Sequence, residues 1–337
     1  MNGSDYLVKK LVDKGVKHVF MIVGGGAMYL NDAVIKNKKI TYICNHHEQA
    51  STMAAECYSR ITGNIGVVVP TSGGGMTNTL TGLIGAWWDS IPLMIISGNA
   101  KGPFLTYQRP KLRQLWVQDT RIIDVVKPIT KYAVCVYDTN KLDYEFEKAY
   151  YLAKSGRPGP VWLDIPLDVQ SAQVEEKKMV HFIPPQEPKP DLKDIVKKTI
   201  QKIKSSKKPA IVVGSGVRLS GSYKLFHKVL NKLKIPVTTS LTAHDIMWET
   251  NPYYGGRFGP YGDARGNDLV AEADCLLILG ERLYVWQIGY DYENWAKQAY
   301  KIMVDIDREE LDKPTMRTQL KVHADVKDFL QEMDKQL

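Results

Sequence analysis

A chain of 337 residues, 44% of them hydrophobic, exceeds one typical domain and can bury a core in each of two. No apolar run approaches the roughly 20 residues of a membrane span, and the opening MNGSDYLVKK lacks the apolar core of a secretory signal, so a soluble, cytoplasmic protein with no membrane partner is expected. The net charge of +8 is spread over helical lysines and residues 189–208 instead of forming one basic stripe among exposed aromatics, which speaks against a nucleic-acid partner.

The cysteines, Cys44, Cys57, Cys135 and Cys275, have no C-x-x-C spacing, and the seven histidines show no H-x-x-H or H-E-x-x-H pattern. No metal site is expected in this chain. Three of the cysteines lie in apolar runs, where a thiol packs as a small buried hydrophobe.

Residues 1–170 alternate short apolar strands with amphipathic helices, the pattern of an α/β domain whose parallel sheet is covered on both faces. The periodicity predicts a helix over Tyr6–Lys14 with Leu7, Val8 and Leu11 inward, then a strand over Val19–Val23. Gly24, Gly25 and Gly26 break that strand before a helix from Met28 to Val34. Such a run either lets a ligand approach the backbone or makes a tight turn. Ile40–Cys44 reads as the next strand. From His47 onward, Ala50, Met53, Ala54, Cys57, Tyr58 and Ile61 recur at helical spacing, which puts Glu48, in the first turn, opposite the expected buried stripe. On its own, a glutamate there is an ordinary carboxylate favoured by the helix dipole.

Ile65–Pro70 is a further strand, leading through Thr71, Ser72, Gly73, Gly74 and Gly75 into a helix with apolar positions Leu80, Leu83, Ile84, Trp87 and Trp88. A glycine-rich turn at a helix start invites an anion. Another strand, Met94–Gly98, follows the segment Asp89–Leu93. Residues 174–190 are charged and proline-rich, the composition of an extended connector. A second α/β unit begins near Asp191, with a strand at Ala210–Val213, a turn at Gly214-Ser215-Gly216, and a helix striped by Leu225, Phe226, Val229, Leu230 and Leu233. The third glycine of a dinucleotide fingerprint is missing there. Later strands are expected at Cys275–Leu279, Lys301–Ile306 and Lys321–His323, with a last helix over Val326–Met333.

His47-Glu48-Gln49, the loop from Thr71 to Asn78, Asp89-Ser90-Ile91-Pro92, Val117-Gln118-Asp119, Lys127–Lys131, and Gly156–Val161 with Asp164–Gln170 occur in one order along the chain. Together they resemble the thiamine-diphosphate enzymes, most closely the acetolactate synthase group. The resemblance implies a pyrimidine-binding domain over 1–173, a linker over 174–190 and a Rossmann-like central domain over 191–337, without the family's C-terminal diphosphate-binding domain. It implies that Glu48 bonds N1′ of the cofactor's aminopyrimidine, so that the 4′-amino group acts as its imino tautomer to remove the thiazolium C2 proton. Gly24, Gly25, Gly26, His47, Thr71, Ser72, Gly73, Gly74, Asn78 and Gln118 would line the pyrimidine and substrate side.

The same resemblance makes FAD a candidate cofactor of the central domain, with Arg157 as a contact. It assigns Mg²⁺ and the diphosphate to the missing domain, since Gly262-Asp263-Ala264 is the nearest string to that domain's G-D-G motif and no matching Asn segment follows. The expectation is therefore part of an enzyme that decarboxylates a 2-oxo acid and joins two carbon units, with a homodimeric or higher assembly and a separate polypeptide carrying the diphosphate site. Two alternatives are a non-catalytic dimerising protein derived from that family and a flavin- or nucleotide-binding module. Gly24-Gly25-Gly26 and Gly73-Gly74-Gly75 stand where the family usually has Pro-Gly-Gly and Gly-Pro-Gly, which implies softer loops, and Val117 in place of Phe implies a roomier pocket.

Overall fold

The computed structural model describes residues 1–186 and 188–337, which form two compact units, Met1–Gln186 and Glu187–Leu337. The expected connector, 174–190, contains residue 187, which lies outside the described residues. Its first part is tied to the first unit: the Val174 N–H donates to the Met1 carbonyl, the Val180 N–H to the Asn140 carbonyl, and Met179 is buried in that unit's core.

The first unit is built on an all-parallel sheet of β1 (His18–Met21), β2 (Thr41–Cys44), β3 (Gly66–Val69), β4 (Leu93–Asn99), β5 (Tyr132–Cys135) and β6 (Val161–Pro166). Their spatial order is β2-β1-β3-β4-β6-β5. Strands β3, β4 and β6 are buried at every residue, as expected where helices cover both faces of a sheet. The edge strand β2 is largely exposed. Helix α1 (Gly3–Asp13) is capped by the Asn2 side chain, which accepts from the Asp5 N–H at 2.8 Å, and it buries Leu7, Val8 and Leu11. Each fully buried leucine contributes on the order of 1.5–3 kcal/mol. The next helices along the chain are α2 (Met28–Lys36), α3 (Glu48–Thr62), α4 (Gly74–Asn78) and α5 (Leu80–Trp88).

Helix α3 presents the opposite face to the core from the one its hydrophobic spacing predicts. Glu48, Ser51, Thr52, Ala55 and Ser59 are buried, whereas Ala50, Met53, Cys57 and Ile61 face outward, and Ile61 is 84% exposed. The reason is the closeness of the packing. A Cβ on Gly66 would overlap the Ala55 carbonyl, a Cβ on Gly82 would come within 2.7 Å of Thr52 Cβ, and the Ser59 hydroxyl donates to the Pro92 carbonyl at 2.9 Å. Only small side chains fit between backbones that near, so size and not hydrophobicity selects the inner face. Ala54 and Tyr58 are intermediate, with the Tyr58 ring against His18 and Phe20. Helix α5 shows the same inversion at its end, burying Gly82, Leu83 and Ala86 and exposing Trp87 and Trp88. The cysteines differ from expectation too: Cys275 is buried, Cys135 intermediate, and Cys44 and Cys57 exposed.

The second unit carries β7 (Pro209–Val213), β8 (Val237–Thr239), β9 (Tyr254–Arg257), β10 (Cys275–Leu279), β11 (Tyr300–Asp305) and β12 (Leu320–His323), all parallel, in the order β12-β11-β10-β7-β8-β9. Counted from the unit's own first strand this is the 3-2-1-4-5-6 order of a doubly wound nucleotide-binding fold. Helices Lys193–Ser205, Tyr223–Leu233 and Val326–Gln336 bury Val196, Ile200 and Ile203, Phe226, Val229 and Leu230, and Phe329, Leu330 and Met333. The lysine-rich stretch near residue 200 is thus the solvated face of an amphipathic helix. No helix among the described residues is long and apolar enough to cross a membrane.

Candidate active site

In an open parallel sheet a ligand cleft forms outside the strand carboxyl ends where neighbouring connections leave in opposite directions. In the first unit that point lies at β1, between β2 and β3. The three segments leaving these strands are Gly24–Gly26, His47–Glu48 and Thr71–Asn78.

Glu48 opens α3 and is only 8% exposed. The Asn78 amide donates to Glu48 Oε2 at 2.9 Å, while Oε1 accepts from no described residue. That oxygen lies 3.2 Å from where a Cβ on Gly75 would stand, with Thr71 Cγ2 at 2.9 Å from the same point. A glycine at 75 therefore leaves the carboxylate approachable. The Thr52 hydroxyl donates to the Glu48 carbonyl at 2.8 Å and fixes this first turn.

The loop after β1 packs on the loop after β3. The Gly26 N–H donates to Thr71 Oγ1 at 3.1 Å, a Cβ on Gly24 would overlap the Thr71 side chain, and one on Gly26 would lie 2.8 Å from Ser72 Oγ. Asn31 accepts from the Gly24 N–H at 3.3 Å, and the Gln170 amide donates to the Gly26 carbonyl at 2.7 Å. Gly73, with φ +61°, faces Gln118, whose own φ is +56°, and a Cβ on Gly73 would come within 2.5 Å of Gln118 Cβ. Left-handed backbone at a glutamine is uncommon and needs surrounding structure to hold it. Buried Asp119 supplies that, its Oδ2 accepting from the Thr106 N–H at 3.1 Å and the Leu115 N–H at 3.4 Å.

The structure thus brings Glu48, Asn78, Thr71, Ser72, Gly24 and Gly26 together, with Gln118 joined through Gly73. His47 is exposed and acts as the α3 cap, its Nδ1 accepting from the Gln49 N–H at 3.1 Å. Gly25 and Gly74 border open space. Arg157 is elsewhere in the same unit, its Nε donating to Ser90 Oγ at 2.8 Å. Sequence reasoning missed Gly75, Thr52 and Asn31 as supports of the site. A signal for Gly75 was available in its place one helical turn before Asn78; none marked Asn31.

Beneath the site, β4 and β6 carry a sealed polar cluster. The Asn99 amide and Ser97 hydroxyl donate to Asp164 at 2.8 and 2.7 Å, and the Trp162 indole N–H donates to Ser97 Oγ at 2.8 Å. Burial pushes the Asp164 carboxyl up to about 6, against hydrogen bonds from Asn99, Ser97 and Cys135 that pull it down. Gly98, between its two donors, leaves no room for a side chain against the Gly26 carbonyl, so the cluster underpins the first glycine loop.

The second unit's corresponding turn is closed. Cβ atoms on Gly214 and Gly216 would meet Glu281 Oε2 and Gly280 Cα, each at 2.6 Å. Glu281 is 5% exposed, and burial raises its pKa above the ordinary carboxylate range. Both glycines are therefore accounted for by close packing on the Gly280–Glu281 connection. Asp263 is likewise committed, accepting from the Gly266 N–H at 2.8 Å and the Arg257 N–H at 3.0 Å as a helix cap.

Comparison with known proteins matches a different family model to each unit. The family described as thiamine pyrophosphate enzyme, N-terminal TPP binding domain, matches residues 1–117, and its central domain matches residues 196–333. Similar proteins include the acetolactate synthase large subunit of Lactococcus lactis subsp. lactis, 32% identical over 331 residues, covering 97% of this chain and 56% of that protein. The probable acetolactate synthase large subunit of Methanococcus aeolicus is 31% identical, covering 100% and 55%, and acetolactate synthase 1, chloroplastic, of Zea mays is 33% identical, covering 98% and 51%. The chain spans little more than half the length of these relatives. It belongs to the thiamine pyrophosphate enzymes, of which it carries the N-terminal TPP binding domain and the central domain.

Proposed function

We propose that this chain supplies the pyrimidine side of a thiamine-diphosphate site in an acetolactate synthase-like enzyme that decarboxylates a 2-oxo acid and joins the product to an acceptor. The observation that carries the reading is Glu48: buried, held on one oxygen by Asn78, and open on the other beside Gly75. Bound thiamine diphosphate supplies the carbanion chemistry that such a reaction needs. Glu48 Oε1 would hold a proton shared with the aminopyrimidine N1′. Asn78 keeps the carboxylate from turning away, and the low-polarity surroundings strengthen the bond. Gly24, Gly26 and Gly73 are taken up by packing on Thr71, Ser72 and Gln118, whereas Gly25 and Gly74, which border open space, would let the ring lie close to the backbone, with Gln118 on the substrate side.

Asp263 is used up within its own loop, so on this reading the Mg²⁺ and diphosphate ligands come from a diphosphate-binding domain and not from this turn. The reading does not call on FAD: Gly214 and Gly216 are accounted for by packing on Gly280 and Glu281, and the protein should be colourless as isolated. The outward apolar residues Met53, Cys57 and Ile61 of α3, together with exposed Trp88 on α5, the helix that α3 packs against, support a homodimer or higher assembly. They also favour one rival, a dimerising protein of the same descent without chemistry.

The test is carbon dioxide release from pyruvate with thiamine diphosphate and Mg²⁺. The isolated chain should give none and bind the cofactor no tighter than roughly millimolar, as expected for one charge-assisted bond and contact with a small ring. Addition of a diphosphate-binding domain should restore release, and Glu48→Gln should abolish it again. Release that never appears with the partner present would favour the rival. Micromolar cofactor binding by the lone chain would place a diphosphate site within it.

A further inference from the structure

Away from the candidate active site, the first unit carries a groove of about 460 Å³, lined by Lys14, Glu147, Tyr150, Tyr151, Lys154, Ser155, Phe182 and Pro184. This volume is within the range of about 300–1,000 Å³ usual for small-molecule sites. Lys14 follows α1 and Lys154 ends the helix Leu142–Lys154, so each ammonium group of the groove sits at a helix end. Both lie over one ring, at 5.3 Å and 5.8 Å from the Tyr150 centroid. Among the described residues neither pairs with a carboxylate. The one acidic side chain of the groove, Glu147, is already engaged: Oε1 accepts from Lys10 Nζ at 2.9 Å and Oε2 from the Phe182 N–H at 3.0 Å, with His181 Nδ1 at 3.5 Å. The groove's uncommitted charge is therefore two positive groups.

Its walls are aromatic. Phe182 stands against Tyr151 at 5.6 Å between centroids and is held there by its backbone bond to Glu147. Burial raises the Tyr150 pKa, so its hydroxyl remains a neutral donor at physiological pH. Two ammonium groups about one ring, neither paired with a carboxylate among the described residues, suit a phosphate, and the aromatic side chains beside them suit a planar ring.

We propose that this groove binds a small aromatic phosphate of the nucleoside monophosphate class, its phosphate between Lys14 and Lys154 and its base against Tyr151 and Phe182. The site is distinct from the Glu48 cleft, and the proposal does not depend on the chemistry assigned there.

Calorimetric titration of the whole purified chain with AMP, adenosine and inorganic phosphate, each alone, tests it. AMP should bind saturably and at least roughly tenfold more tightly than either fragment, since only AMP satisfies both halves of the groove. Lys14→Gln/Lys154→Gln should weaken AMP at least about tenfold while Lys14→Arg/Lys154→Arg retains it, and both residues are exposed enough for these changes to leave the fold intact. Phe182→Ala should weaken AMP and leave phosphate binding unchanged. No saturable AMP binding, phosphate binding as tight as AMP, or AMP binding indifferent to the double Gln variant would each overturn the proposal.

Discussion

The two units make the same local structure, a parallel strand ending in a glycine turn, and put it to opposite uses. After β1, Gly24–Gly26 rests on the Thr71 and Ser72 side chains, Gly25 borders open space, and the neighbouring Glu48 carboxylate is approachable past Gly75. After β7, Gly214 and Gly216 are filled by the backbone of Gly280 and the carboxylate of Glu281. Glycine in such a turn thus reports only that something comes close. Whether that something is a ligand or another strand's loop depends on what the neighbouring connection brings there.

The largest stability effect should come from the closed turn. Gly214→Val would drive a branched side chain into Gly280 and Glu281, and a loss of about 3 kcal/mol or more in urea unfolding is expected, at the upper end for overpacking. If that variant is as stable as the parent, the turn is open and the contrast between the units fails.

Next is the buried carboxyl under the open turn. Asp164 has a folded-state pKa of about 6 against 3.8 for the free group, so its contribution is fully present below about pH 4 and is lost as pH rises through 6. Asn cannot titrate. The stability of the parent minus that of Asp164→Asn should therefore fall between pH 4 and 7 by roughly 2–3 kcal/mol, at about 1.4 kcal/mol per unit. A pH-independent difference would mean that Asp164 ionises normally and that the cluster is hydrated.

A smaller effect is expected at Asp119, whose Oδ2 collects two backbone N–H groups around the Gln118 turn. Asp119→Ala should cost about 1–2 kcal/mol and speed tryptic cleavage after Lys111 and Arg113, both exposed on the loop it closes. Unchanged cleavage would show that Gln118 is held by other contacts. Smallest of all, Gly25→Ala should stay within about 0.5 kcal/mol, because nothing lies within 4 Å of the new methyl group.

Strands buried on both faces, such as Gly66–Val69 and Cys275–Leu279, were legible as continuous apolar runs, and the alternation of strands and helices was enough for the fold class. The orientation of α3 was not legible. Its inner face is chosen by closeness to Gly66 and Gly82, residues distant in sequence, so Ser51, Thr52 and Ser59 are inside while Met53 and Ile61 are outside. Glu48 was singled out by its resemblance to a family position, yet its burial and its Asn78 partner depend on a loop 30 residues away. The closure of Gly214–Gly216 hangs on Glu281, whose place beside that turn follows only from the pairing of β10 with β7.

The proposed role of Glu48 is that of proton partner to a bound aminopyrimidine, and hydrogen–deuterium exchange at the thiazolium C2 of thiamine diphosphate measures that directly when this chain is combined with a diphosphate-binding domain. Glu48→Gln preserves size and the contact with Asn78 but cannot share the proton, so exchange should slow by about a hundredfold or more, roughly 3 kcal/mol in barrier, while cofactor affinity changes only a few-fold. An exchange rate equal to that of the parent would show that the Glu48 carboxylate takes no part in activating the cofactor.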